Sequence, residues 1–164
     1  MNEAVQRAKP EEWRIVDDLY PALRRFAAVA APTDLEPDDL LQEALVRVLK
    51  RCSLSDLDHP GAYLRKTMVN LAASHYRRRG VERRALRRAA ASDDIQTDPA
   101  YPSDVANLEE LPPMQRAALY LAEVEGFRYE EIGRMLGCSR DAARKNASRG
   151  RERLRFVVAL EDQQ

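Results

Sequence analysis

Apolar residues return every three or four positions along almost the whole chain, and no apolar-polar alternation lasts longer than a few residues. On a backbone with 3.6 residues per turn, that spacing gives each segment one apolar stripe, so the chain is expected to be all-α. Ala, Leu, Arg and Glu dominate these segments and β-branched clusters are few, in agreement with intrinsic helix propensity. At 164 residues and 45% hydrophobic, the chain can bury one ordinary core or two small ones.

A first helix is expected over about Glu11 to Ala31, with Trp13, Val16, Leu19, Tyr20, Leu23, Phe26 and Ala27 as its stripe. Pro21 predicts a break or kink inside it, and Pro32 an end. Pro37 suits the first turn of a second helix, followed by Asp38 and Asp39 at the positive end of its dipole. This helix should run to about Cys52, with Leu41, Ala44, Leu45, Val48 and Cys52 inward and Asp39, Gln42, Glu43, Val46, Arg47 and Lys50 on another face. After the loop SLSDLDHPG, a third helix begins near Gly61 and continues through Met68 and Ala72 into a run of arginines. Residues 1–90 therefore read as one small helical domain.

Apolar periodicity lapses over 91–107, where three acids precede Pro99 and Pro102 follows. This stretch is expected to be an acidic flexible linker. Residues 108–164 read as a second helical domain: LPPMQRAALYLAEVEGF stops at Gly126, YEEIGRML is a short helix, GCS is a turn and RDAARKNASRGRERLRFVVAL is the last long helix.

The formal net charge is zero, so attraction to a polyanion has to come from charge segregated along the chain. Seven arginines lie between Arg77 and Arg88 against the single acid Glu82, whereas Asp93 to Glu110 holds six acids and no Lys or Arg. No run approaches the ~18 apolar residues of a membrane span, so a cytoplasmic protein with no membrane insertion is expected. Cys52 and Cys138 belong to no CxxC or Cys/His cluster and read as small packing residues; His59 and His75 are isolated. No metal and no cofactor are expected.

The last two helices carry the strongest local signal. Two helices joined by three or four residues and crossing steeply need small residues where their backbones approach. Ile132 and Leu136 face inward at i and i+4, Gly133 supplies the close approach, and Gly137 can take the positive φ of the turn. Ser139 can cap the second helix, with Asp141 in its first turn. Ala143, Ala147, Gly150 and Leu154 form a narrow docking seam, which turns Arg140, Arg144, Lys145, Ser148, Arg149 and Arg151 outward. That arrangement predicts a helix-turn-helix able to present Arg and Lys to guanine edges or phosphates in a major groove.

The N-terminal half narrows this further. EPDDLLQEALVRVLKR resembles the segment of bacterial sigma-70 family factors that docks on core RNA polymerase. AYLRKTMVNLAASHYRRR resembles the next segment, which recognises and helps melt the minus-ten promoter element, and LPPMQRAALYLAEVEGFRYEEIGRMLGCS resembles the minus-thirty-five module. Their order and the linker between them are similar to those of extracytoplasmic-function, or group 4, sigma factors. The resemblance implies polymerase docking by Asp39, Leu40, Gln42 and Glu43. It also implies a base-holding role for Asn70 beside Arg77, Arg78 and Arg79, with the loop Ser53 to Pro60 shaping the pocket. Minus-thirty-five contacts fall to Arg140, Arg144, Lys145, Ser148 and Arg149. Core RNA polymerase, promoter DNA and an anti-sigma factor are the implied partners. Where the family usually has Thr-Val-Lys/Arg-Ser-Arg at the start of the recognition helix, this chain has Ala142-Ala143-Arg144-Lys145-Asn146.

The sequence holds no nucleophile, base and orienting group at recognisable spacing, no Gly-rich phosphate loop and no metal-carboxylate motif, so no catalytic residue is expected. Two other readings stay open on sequence alone. One is a stand-alone helix-turn-helix regulator that binds duplex DNA without polymerase. The other is a recombination or nicking enzyme with a helix-turn-helix tail, for which Tyr76 beside the arginines is the one faint nucleophile candidate.

Overall fold

The computed structural model describes residues 10–89 and 111–161, and among them proline sets the start of four of the six α-helices. Its fixed φ suits a first turn, and its missing N–H is one that a helix start leaves unbonded anyway. These four are α1 (Pro10–Ala30), α2 (Pro37–Leu49), α3 (Pro60–Ala89) and α4 (Pro113–Glu123). A single 3-10 turn, Leu54–Asp56, precedes α3, and α5 (Tyr129–Leu136) and α6 (Arg140–Glu161) complete the order. No strand occurs among the described residues, so the expected all-α class holds. The acidic stretch 91–107 lies outside the described residues.

The apolar stripes meet as the spacing requires, with a few informative departures. From α1, Val16, Leu23, Phe26, Ala27 and Ala30 are buried; from α2, Leu40, Leu41, Ala44 and Val48; from α3, Leu64, Met68, Val69 and Leu71. Trp13 and Tyr20, expected in the α1 stripe, are 38% and 42% exposed, and Val124 at the end of α4 is 70% exposed. Pro21 does not break α1, which runs unbroken through it. The chain before Pro21 has only to forgo one backbone bond, and Pro21 sits on the exposed side, where water can serve the freed carbonyl.

In the C-terminal half the turn chemistry matches the sequence closely. Gly126 and Gly137 are the two residues with positive φ, at 71° and 69°, among those described. Gly137 caps α5, and the Cys138 amide donates back to the Gly133 carbonyl at 2.9 Å. A Cβ on Gly133 would lie 2.7 Å from the Cys138 carbonyl oxygen, so the close approach of α5 to the turn before α6 needs glycine there. Gly150 has the matching role on α6, where a Cβ would approach the Gln115 carbonyl of α4 to 3.2 Å.

The two halves are packed on each other. Ala117, Ala118, Leu121, Ile132, Met135, Leu136, Ala143 and Ala147 join the residues of α1 to α3 in one continuous apolar cluster. The joint is made by α1 against α4 and by α3 against α4 and α5.

Candidate nucleic-acid and partner interfaces

The recognition helix is built from its cap outward. Ser139 Oγ accepts from the Ala142 amide at 3.1 Å, satisfying one of the free donors at the start of α6. At the start of α5 the Glu131 carboxylate accepts from the Arg128 amide at 2.8 Å. Ala143, Ala147 and Gly150 are buried in the seam, and Arg140, Arg144, Lys145, Ser148 and Arg149 are exposed together on the opposite side. None of these four cations has an ion pair among the described residues. Arg151, expected outside with them, is half-buried and ion-paired to Glu123 of α4, so it ties the module together. Burial pushes the Cys138 thiol up, which keeps it protonated and unreactive in the turn. Ser139→Ala should cost about 1 kcal/mol by removing the cap. A thermal melt checks this, and no loss would mean that water serves the Ala142 amide equally well.

A second site lies on α2 and α3. Asn70 is exposed on α3 at the edge of a shallow cavity of about 200 Å³ lined by Arg47, Val48, Arg51, Tyr63, Thr67 and Asn70. Thr67 Oγ1 donates to the Tyr63 carbonyl at 2.9 Å, whereas Arg51 and Asn70 have no ion pair or side-chain hydrogen bond among the described residues. Arg47 is held at 2.8 Å by Glu43 one turn earlier. Further along α3, Arg77 and Arg78 are exposed and without an ion pair among the described residues. Arg79 differs, because Asp34 in the α1–α2 connection meets it at 3.3 Å. The arginine side chains beyond residue 82 lie outside those described.

The loop before α3 is fixed from below by a residue the sequence did not single out. Glu12 of α1 is only 6% exposed, and its carboxylate accepts from Ser53 Oγ at 2.8 Å and from the Leu54 amide at 3.1 Å. A buried acid in the first turn of an amphipathic helix looks like an ordinary dipole-favouring residue until its partner is known.

On α2, Asp39 and Gln42 are exposed and Glu43 half-exposed, forming one polar face. Leu40, expected beside them, is fully buried; it supports the face from within the core and does not line it. Asp38 is engaged by Arg24 of α1 at 3.0 Å, an exposed pair that holds α2 against α1.

Two helical modules, one with a basic helix beside a small cavity and the other a helix-turn-helix, have the arrangement of a DNA-binding protein. Two family models agree: Sigma-70 region 2 matches residues 15–82, and Sigma-70, region 4 matches residues 107–154. The ECF RNA polymerase sigma factor EcfG of Rhodopseudomonas palustris is 33% identical over 86% of this chain and 81% of its own length. The sigma factor CarQ of Myxococcus xanthus is 32% identical over 87% and 88% respectively. SigE of Mycolicibacterium smegmatis is 32% identical over 94% of this chain, which spans 64% of that longer relative. Among solved structures, the sigma factor RpoE of Bartonella quintana, determined in complex with the anti-sigma factor NepR, superposes with a TM-score of 0.64 at 23% identity, covering 92% of this chain and 98% of that one. The chain belongs to the extracytoplasmic-function sigma factors of the sigma-70 family, which are not enzymes, and the stand-alone regulator is not favoured. Among the described residues, no helix is long and apolar enough to cross a membrane.

Proposed function

We propose that this chain is a dissociable specificity subunit that docks on core RNA polymerase through Asp39, Gln42 and Glu43, and reads promoter DNA at two sites in the cytoplasm. The observation that carries the reading is the recognition helix itself, with four unpaired cations on one face and small residues on the other. Arg140, Arg144, Lys145, Ser148 and Arg149 then face the minus-thirty-five element. Asn70, with Arg47 and Arg51 around the same cavity, holds an unstacked minus-ten base, and Arg77 and Arg78 track the backbone. Arg79 joins them only by giving up Asp34. An anti-sigma factor is a third proposed partner, as found with the Bartonella quintana protein.

Transcription from a randomised promoter library with core polymerase tests the whole reading: one enriched two-part motif is expected, and no promoter-specific transcript would overturn it. Replacing Asp39 and Gln42 together by Ala should cut capture of core polymerase at least tenfold while lowering the melting temperature by no more than about 4 °C, since both side chains are exposed and only the Asp39 charge in the first turn of α2 is lost. Unchanged capture would remove this face from the docking surface.

A further inference from the structure

The connection between α2 and α3 is seated on α1, through the 3-10 turn Leu54–Asp56 and the side chain of Glu12. Glu12 is only 6% exposed, and a single carboxylate oxygen, Oε1, accepts from both Ser53 Oγ at 2.8 Å and the Leu54 amide at 3.1 Å. A hydroxyl has one proton to give, and Ser53 gives it to Glu12. In the 2.8 Å contact between Ser53 Oγ and Ser55 Oγ it is therefore Ser55 that donates, and the bonds run one way, from Ser55 to Ser53 to Glu12. Backbone bonds close the same turn: the Asp56 amide donates to the Ser53 carbonyl at 3.2 Å and the Leu57 amide to the Leu54 carbonyl at 3.3 Å. Leu54 itself is fully buried.

This turn joins the two walls of the Asn70 cavity. Arg47, Val48 and Arg51 line it from the α2 side, and Tyr63, Thr67 and Asn70 from α3. Arg51 lies two residues before Ser53, beyond the end of α2 at Leu49, where the bond from its amide to the Val48 carbonyl at 2.8 Å is its tie to the helix. The chain from Arg51 to Tyr63 thus passes through the turn that Glu12 holds, and a shift of that turn moves Arg51 against the α3 wall. Glu12 itself does not line the cavity.

We propose that Glu12 is a positioning residue for base selection at the minus-ten element: by anchoring Ser53 and Leu54 it sets the spacing of Arg51 and Asn70 across the cavity, without meeting DNA itself. The proposal rests on the sigma-factor reading above and deepens it. A carboxylate suits the position because it only accepts, and because one of its two donors is a buried backbone amide that is costly to leave unpaired. A turn released from Glu12 keeps every group that lines the cavity and loses their spacing. Selection of the held base depends on that spacing, whereas attraction of the arginines to phosphate does not, so selectivity falls before affinity.

The test compares Glu12→Ala with Glu12→Gln, whose amide oxygen can accept from both Ser53 and Leu54. With core polymerase and the randomised promoter library, Glu12→Ala should lose roughly 5- to 150-fold in discrimination at one minus-ten position, the worth of a well-placed base contact, while the enriched minus-thirty-five motif stays that of the wild type. Glu12→Gln should keep most of that discrimination. A merely structural role predicts a lower melting temperature and less transcript from every promoter in Glu12→Ala, with both motifs unchanged; that result, or equal relaxation in the two variants, would overturn the proposal. Hydrogen exchange at the Leu54 amide reads the anchor without polymerase, and should be faster by roughly tenfold or more in Glu12→Ala and near the wild-type rate in Glu12→Gln. Unchanged exchange in Glu12→Ala overturns the proposal as well. A wild type that gives no promoter-specific transcript, with Leu54 protection that Glu12→Ala removes, would sink the sigma-factor reading instead and leave the anchor standing.

Discussion

Phe26→Ala should remove about 3–5 kcal/mol of stability, the cost of deleting a large aromatic side chain from a site that cannot collapse around the gap. Phe26 is fully buried, the largest such side chain described, and it is the ring on which Tyr120 packs edge-on and over which Arg65 lies. Its loss therefore opens a cavity in the N-terminal core and removes the apolar centre of the contact between modules. For a chain of this size the melting temperature should fall by roughly 6–20 °C. Trp13→Ala is the internal comparison, because Trp13 is 38% exposed on the same helix and should cost well under half as much. Similar losses for both would mean that the α1 stripe is buried as its sequence spacing alone suggests, with Trp13 inside it.

That comparison also shows where sequence reasoning reached its limit. Helical periodicity identifies the buried side of each helix against its neighbours in the chain, and Leu23, Phe26, Leu41, Ala44, Leu64 and Met68 all lie where it puts them. Turn chemistry was legible to the single residue: Gly137 has positive φ, Gly133 has no room for a side chain, and Ser139 caps α6, because each requirement is local to a few residues. The second face of a helix was not legible. Arg65 and Arg116 look like solvated cations on apolar helices, and only the approach of α4 to α1 and α3 buries them to 8% and 3% exposure. Leu40, which the family resemblance groups with the docking residues, is buried outside the stripe that spacing assigns to α2, since a helix wedged between two others buries more than one stripe.

Long-range charge pairing escaped in the same way. Arg77, Arg78 and Arg79 are indistinguishable in sequence, yet Asp34, 45 positions earlier, selects Arg79 alone and leaves the other two without an ion pair among the described residues. Glu12 fixes the loop at Ser53 and Leu54 from 41 and 42 positions away. No spacing rule connects such pairs, because the α1–α2 connection and the packing of α1 on the loop have to be in place before the partners meet.

Arg144→Ala should change which upstream promoter bases are accepted. Arg144 is exposed in the second turn of α6, flanked by Arg140 one turn earlier and Ser148 one turn later, and has no acid to release before it can bond DNA. If its guanidinium makes two parallel bonds to a guanine edge, the loss is about 1–3 kcal/mol at one or two positions, or roughly 5- to 150-fold in discrimination. Comparing wild type and variant on the randomised library separates this from a phosphate contact, which would weaken all sequences alike and reduce the salt dependence by about one counterion. Lys145 is exposed next to Arg144 and Asn146 is half-buried, at positions where the family run carries other residues. An ammonium group reaches a base as a single point of charge and an amide can pair with adenine, so these two should shift the preferred sequence without weakening the Arg144 contact. The Lys145→Ser, Asn146→Arg double variant, which restores the family's usual Ser-Arg ending, is therefore expected to move the enriched upstream motif while keeping the Arg144-dependent position. Loss of that position along with the rest would mean that the helix docks in a different register.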